Sequence, residues 1–358
     1  MLEAAFIQNS SRRTYSHRPP REAAYQWHTR QPYFAPTPLV NLDELAPRLG
    51  HERIWVKDER NRCGTTSFKI LGASWALHAA LQGRGADGRG SQVRTLFAGT
   101  DGNHGCAVAR LARLHGLRAE IFVPAGTAPE RIAAIERERT VVRVVDGAYD
   151  DAVQWAACAA DAAGAAGLLV SDTALHPDDP TPQWTIEGTG TIFREVHQEL
   201  CRQALPLPDL VLVPIGVGGL AAAAIRHFRA CPAARDAVTR VVGVEPATAA
   251  CAALSIAAGH ISTVKTPFDS TMAGLNAQTP SFTAWEDLLY GLDGVVTMSD
   301  AWCADAFETL TAAGLRPGPT GLAALAGLFA LHAVRGEDPA LRWLDDARHV
   351  VLVVTEGE

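Results

Sequence analysis

The chain has 358 residues, 47% of them hydrophobic and 20% charged, with a formal charge of −7. That is enough chain for two lobes with buried cores, and the negative balance argues against a nucleic-acid partner. No apolar run reaches membrane-spanning length; the nearest, 322–334, is interrupted by His332. The seven cysteines are scattered and form no C-x-x-C, and the twelve histidines form no H-E-x-x-H. This reads as reduced thiols in the cytoplasm, with no metal site.

In chain order, the first feature is the basic stretch Ser11–Arg30, with arginines at 12, 13, 18, 21 and 30 and no apolar h-region. It reads as a mobile or subunit-contacting arm rather than a secretory signal. Short aliphatic runs then alternate with alanine-rich segments of helical length. Strands are expected at Ile54–Lys57, Val93–Ala98, Ala119–Val123, Val141–Val145, Leu168–Val170, Leu210–Pro214, Val241–Glu245 and Val350–Val354. Helices are expected at Phe68–Leu81, Asn103–Leu117, Pro129–Glu138, Asp150–Ala163, Pro182–Gln203, Gly218–Arg229, Ala247–Ala258, Asp300–Ala313 and Gly321–Val334. The strands are apolar without alternation, so both faces are buried. The pattern predicts an α/β fold of parallel sheets flanked by helices. Gln82–Ser91 is glycine-rich and His176–Pro182 is rich in proline. These breaks predict a small domain over 82–179 and a large one from 1–81 and 180–358, with a ligand in the cleft between them.

Three segments carry chemistry. Lys69 stands alone among uncharged neighbours in "TTSFKILGAS" (65–74), at the start of a helix. A snorkelling surface lysine is the plain reading, but a cation opposes the dipole there. An amine in apolar surroundings is also suited to forming a Schiff base with an aldehyde. "VLVPIGVGGLAAAAIRHF" (211–228) runs from an apolar strand through Gly216-Val217-Gly218-Gly219 into a helix. Such a turn suits a phosphate. It also satisfies G-x-G-x-x-A with Gly216, Gly218 and Ala221, and the next strand ends in Glu245. A nicotinamide dinucleotide site and a ligand-free turn therefore stay open on these residues alone. "AGTDGNHGCAVARLA" (98–112) opens a helix with Thr100, Asp101, Asn103 and His104. These residues could simply cap the helix, or could hold a substrate carboxylate and a ring oxygen. A phosphate turn and a Schiff-base lysine together ask for one ligand, pyridoxal phosphate.

The chain resembles fold-type II pyridoxal-phosphate enzymes, the tryptophan synthase β and threonine deaminase group, and within it the diaminopropionate ammonia-lyases. The resemblance covers nearly everything after Pro36. It rests on "KDERNRCGTTSFKILGA", "TDGNHG", "YDDAV", "SDTA", "PIGVGGLA", "GVEP" and "TMAGLN", in that order. It implies a two-lobed fold with pyridoxal 5′-phosphate in the inter-lobe cleft. It also implies a lyase that removes the β-substituent of a small amino acid, turning 2,3-diaminopropionate into pyruvate and ammonia. β-Replacement, dehydration or racemisation is the alternative. A homodimer is the implied assembly.

Residue by residue, the resemblance implies that Lys69 carries the cofactor and Phe68 packs on its ring. Gly216, Val217, Gly218 and Gly219 hold its phosphate, and Asn103 bonds its ring oxygen. Asp101 serves as base on the D-face and Lys69 on the L-face. Asp172 lies near the substrate's distal amine, and Thr100 and His104 belong to the substrate site. There are two departures. Gly318-Pro319-Thr320-Gly321 stands where the family shows Gly-Glu-Ser-Gly, and Thr355-Glu356-Gly357-Glu358 stands where it continues after "TEG" with Thr-Asp. The partner of the ring nitrogen is thus left between Thr355 and Thr320. The remaining expectations are plainer. Trp55, Trp75, Trp155 and Trp302 read as packing, Cys106 as a small buried side chain, and Asp150 and Asp151 as a helix N-terminus. Glu245 is either a contact to a loop near the ring or a surface acid at a strand end.

Overall fold

A computed structural model describes residues 3–12, 19–84, 92–100, 102–174, 179–230, 239–265 and 269–357. The strands are β1 (Ala4–Gln8), β2 (Leu39–Asn41), β3 (Arg53–Asp58), β4 (Thr95–Gly99), β5 (Arg118–Pro124), β6 (Val141–Val145), β7 (Gly167–Leu169), β8 (Leu210–Pro214), β9 (Arg240–Pro246), β10 (Gly294–Met298) and β11 (His349–Val354). They form two sheets. The larger has the order β1-β10-β9-β8-β11-β3-β2. It is parallel except at its edges, where β1 pairs with β10 and β2 with β3 in antiparallel fashion. The smaller, β6-β5-β4-β7, is parallel throughout.

Helices bury both faces of β4 and β8, which is why these strands are apolar along their whole length. The edge strand β6 leaves Val141 and Val144 exposed, against the expectation that every strand is buried on both faces. Alternate residues of β8 serve opposite layers. Val211 and Val213 pack with Ala221, Ala224 and Ile225 of the helix Gly219–Ala230. Leu210 and Leu212 pack with Ala324, Leu325 and Leu328 of the helix Ala323–Val334. The helix Lys69–Arg84 lies between the lobes. Its Ile70, Ala73, Leu77 and Ala80 join the small-lobe core with Leu96 and Ile121, while Leu71 joins the large one. Lys69 therefore stands where the two cores meet.

The departures from the expected elements have local causes. The segment 182–203 is not one helix: "EGTGT" divides it into Pro180–Thr189 and Thr191–Arg202. The segment 247–258 breaks at Ala250 into a 3₁₀ turn, Ala247–Ala249, and the helix Cys251–Ala258. β1, β2 and β10 and the helices Glu22–His28 and Phe282–Gly291 were not expected. β1 and β2 are edge strands with partners distant in sequence. The basic stretch Ser11–Arg30 is docked in its described part rather than mobile. Arg12 pairs with Asp293 at 3.0 Å, and buried His28 places Nδ1 2.7 Å from Thr191 Oγ1. Trp155 is 56% exposed, so it is no core residue. Among the described residues no helix is long and apolar enough to cross a membrane.

Candidate active site

One cleft gathers the segments singled out above. Its walls include Phe68, Lys69, Asn103, His104, Asp172 and Thr355, the turn Gly216–Gly219, and the loop Ala273–Ala277.

At one end the strand β8 delivers the glycine turn to the N-terminus of the helix Gly219–Ala230. Gly218 has φ +99°, a conformation that side chains rarely adopt, and a Cβ there would lie 2.7 Å from Leu288 Cδ1. A Cβ on Gly216 would lie 2.8 Å from Gly274 O. The turn is pinned from outside, since Ser281 N–H donates to Val217 O at 2.9 Å. The first N–H groups of the helix have no partner of their own within it, so this end is suited to an anion.

Behind the turn lies Glu245, which is fully buried and not at the surface. Its two oxygens accept the N–H groups of Ala252 and Ala253 at 2.8 and 2.9 Å. Burial pushes its carboxyl up to about 7, against the lowering effect of those N–H groups. Cys251 Sγ lies 3.5 Å from Gly216 O and links this carboxyl's helix to the turn.

At the other end, Lys69 Nζ donates to Asp172 Oδ2 at 2.6 Å, a bond between the lobes. Nζ also lies 5.4 Å from the centre of the Phe68 ring. Tyr149, at the start of the helix Tyr149–Ala162, donates its hydroxyl to Asp172 Oδ1 at 2.9 Å. Burial raises the Asp172 carboxyl. The Lys69 ammonium, His104 and the two hydrogen bonds outweigh it and hold the group well below the usual carboxylate range. His104 is buried, with Nε2 2.8 Å from Val170 O. The carbonyl only accepts, so Nε2 carries a hydrogen. Nδ1 then faces Asp172 Oδ2 from 4.0 Å.

Thr100 behaves differently from the expectation. It is fully buried, and its Oγ1 accepts the N–H groups of Gly102 and Gly105 at 2.9 and 3.0 Å. It shapes the turn before the helix Asn103–Leu114 and does not line the cleft. Asp101 lies outside the described residues. Of the two candidates for a ring nitrogen, Thr320 Oγ1 accepts Gly274 N–H at 3.2 Å. Thr355 Oγ1 is buried and has no hydrogen-bond partner among the described residues.

Residues not expected in the cleft wall are Tyr149, Thr185, Thr189 and Asn276. Asn276 is held by Nδ2 donating to Ser270 O at 2.9 Å, and its Oδ1 is buried without a partner among the described residues. Tyr149 and Asn276 sit inside recognised segments, "YDDAV" and "TMAGLN", and those segments were the available signal. An amine, a turn rich in N–H groups, and orphaned polar atoms at Thr355 and Asn276 suit a phosphorylated pyridine aldehyde.

A family model described as pyridoxal-phosphate-dependent enzyme matches residues 31–356. The chain belongs to that family, and its cofactor is pyridoxal phosphate, which decides against the nicotinamide reading of the glycine turn. Within the family it is similar to diaminopropionate ammonia-lyase of Salmonella typhimurium, at 30% identity over 93% of this chain and 87% of that protein. It is also 30% identical to the biosynthetic L-threonine dehydratase of Escherichia coli, over 84% of this chain and 54% of that one. Among solved structures, Escherichia coli diaminopropionate ammonia lyase in complex with an aminoacrylate-PLP azomethine reaction intermediate matches with a TM-score of 0.86 and 27% identity. The match covers 100% of this chain and 94% of that one. The threonine deaminase of T.th. gives a TM-score of 0.74 at 26% identity, covering 94% of this chain and 96% of that one.

Proposed function

We propose that this protein is an ammonia-lyase that converts 2,3-diaminopropionate and water into pyruvate and two molecules of ammonia. The observation that carries the reading is Asp172: a buried carboxylate 2.6 Å from the lysine amine, at the cleft end opposite the glycine turn. A substrate with a second ammonium needs such a partner; a hydroxy amino acid does not. The similarity to diaminopropionate ammonia-lyases supports the same substrate.

Lys69 would hold pyridoxal phosphate through its amine, and Gly216, Val217, Gly218 and Gly219 would seat the phosphate. Asn103 would meet the ring oxygen, Thr355 the ring nitrogen, and Phe68 would pack against the ring. Bound there, the cofactor supplies an electron sink for the charge left when an α-proton departs. The chain's own groups do the rest. Lys69 Nζ, freed by the incoming amino group, takes the α-proton on the L-face, and Asp101 is assigned the D-face by resemblance. Asp172, no longer paired with Lys69, holds the distal ammonium of the substrate and leaves Lys69 a neutral amine able to take a proton, while Tyr149 keeps the carboxylate from turning away. The bound ammonium already carries the proton with which it leaves as neutral ammonia. Closure of the 82–179 lobe on the remainder would keep water from the site.

Scattered reduced cysteines support a cytoplasmic location, and the resemblance supports a homodimer, which light scattering would measure. The decisive test is a spectral titration of the purified yellow protein with D- and L-diaminopropionate, serine, threonine and O-acetylserine. Diaminopropionate is expected to give pyruvate and two equivalents of ammonia, with serine turned over more slowly. Faster turnover of serine or threonine would replace this reading with a dehydratase. Borohydride treatment followed by peptide mapping should place the label on Lys69.

A further inference from the structure

A second carboxylate bridges the lobes at this cleft, away from Asp172. Glu356 follows β11 and is buried. Its chain segment is threaded between two others. Phe68 N–H donates to Thr355 O at 3.3 Å, Gly357 N–H to Thr66 O at 2.9 Å, and Gly318 N–H to Glu356 O at 3.1 Å. The side chain then leaves the large lobe. Its Oε2 accepts Asn103 Nδ2, at the start of the helix Asn103–Leu114. Its Oε1 accepts Thr320 N–H at 2.9 Å and lies 3.7 Å from Arg131 Nη2, in the small-lobe helix Pro129–Glu136.

A carboxylate facing an amide decides which way the amide points. It offers no hydrogen, so Asn103 must turn Nδ2 toward it, because a flipped amide would set oxygen against oxygen. That leaves the second hydrogen of Nδ2 for the cleft. The same carboxylate holds the Gly318–Gly321 turn, where Pro319 has no N–H to offer and Thr320 supplies the one that is bound. We propose that Glu356 is a positioning residue for the cofactor: it locks the Asn103 amide in one orientation toward the ring oxygen and fixes the small lobe against the Thr320 turn. This rests on the reading of Asn103 as the ring-oxygen partner.

The test measures uptake of pyridoxal phosphate by the apo forms of the wild type, Glu356→Gln, Asn103→Ala and the double variant, by fluorescence quenching and by the absorbance of the bound cofactor. A glutamine has one oxygen where the carboxylate has two, so with Thr320 N–H on that oxygen its amide nitrogen meets Asn103 only as a donor, which flips the Asn103 amide. Glu356→Gln should weaken uptake on the order of tenfold. In the Asn103→Ala background it should add less than about twofold, because it acts through that amide. Equal affinity in wild type and Glu356→Gln, or fully additive losses, would overturn the assignment. Failure of the wild type itself to take up the cofactor would instead remove the functional reading. If Glu356→Gln does not fold, Asn103→Asp combined with Glu356→Gln restores a donor–acceptor pair with its polarity reversed. The fold should return while cofactor uptake stays weak, and recovery of both would refute the role.

Discussion

The two ends of the cleft are suited to charge by different means. At the glycine end the backbone makes the seat: four consecutive residues, a positive φ at Gly218 and the start of one helix. At the lysine end side chains do it: Lys69, Tyr149, Asp172 and His104 come from different segments, and the central bond crosses between lobes. A backbone site is local, so substitutions change it by strain. A side-chain site is assembled by the fold, so each member can be removed without disturbing the chain path. Substitutions at the two ends should therefore fail in different ways.

The largest effect is expected at the lysine. Lys69→Ala removes the amine proposed to carry the cofactor, and lyase turnover should fall by about 10³ or more. Borohydride should then fix no label, while the phosphate seat still takes up cofactor weakly. Retention of full turnover would refute the amine's role.

Asp172→Asn comes next. It keeps the shape of the carboxylate but not its charge, and kcat/KM for diaminopropionate should drop on the order of 10²-fold. Turnover of serine, which has no distal ammonium, should fall far less, so the ratio of the two substrates is the diagnostic quantity. The substitution also bears on acid stability. The folded carboxyl is held below its ordinary value of 3.8, so its contribution is present at neutral pH and is lost as pH falls through the acid range. Asp172→Asn should flatten that acid limb in thermal unfolding.

At the glycine end the contrast is between neighbours. Gly218→Ala forces a side chain into a positive φ and against Leu288, and should weaken cofactor uptake roughly tenfold. Gly219→Ala places its Cβ 3.8 Å from Ile186 Cγ1, an ordinary contact at a helical position, and uptake should change by less than about threefold. Equal losses at the two positions would mean that space in the seat, and not backbone conformation, sets its affinity.

Legibility in the sequence followed the same division. The parallel-sheet core, the glycine turn and Lys69 are written in contiguous residues. Periodicity gives the core, while the roles of the turn and the lysine stay open until the resemblance to pyridoxal-phosphate enzymes joins them. Residues whose meaning depends on a distant partner were not found that way. Glu356 in "TEG" gives no hint that it reaches Asn103, 253 residues earlier. Tyr149 reads only as the residue before a helix expected from Asp150 until Asp172 is placed beside it. Thr100 differs in the other direction: its segment matched, but its hydroxyl oxygen accepts two of the turn's own N–H groups. Edge strands β1 and β2 were missed for the same reason, since their registers are set by strands elsewhere in the chain.

The smallest effect is expected behind the seat, at Glu245, and it concerns stability. Its carboxyl is pushed up to about 7 by burial, from an ordinary value of 4.5. At 1.36 kcal/mol per pH unit that is roughly 3 kcal/mol of penalty for the ionised form. The sign follows from proton counting. Between about 4.5 and 7 the folded protein binds a proton at this site that the unfolded chain has lost, so stability falls as pH rises through that window and stays low above it. Glu245→Gln removes the penalty but leaves one of the N–H groups of Ala252 and Ala253 without its acceptor, at a cost of about 1–2 kcal/mol. The variant should therefore be less stable than wild type at pH 4.5 and more stable at pH 8, by on the order of 1 kcal/mol each way, with the curves crossing between. Chemical denaturation of apoenzyme across that range measures it. Because Cys251 ties this helix to Gly216, cofactor uptake by the variant should lose its own dependence on pH in the same window. Parallel stability curves for the two proteins would show that the carboxyl titrates alike in the folded and unfolded chain, and that the glycine seat stands without it.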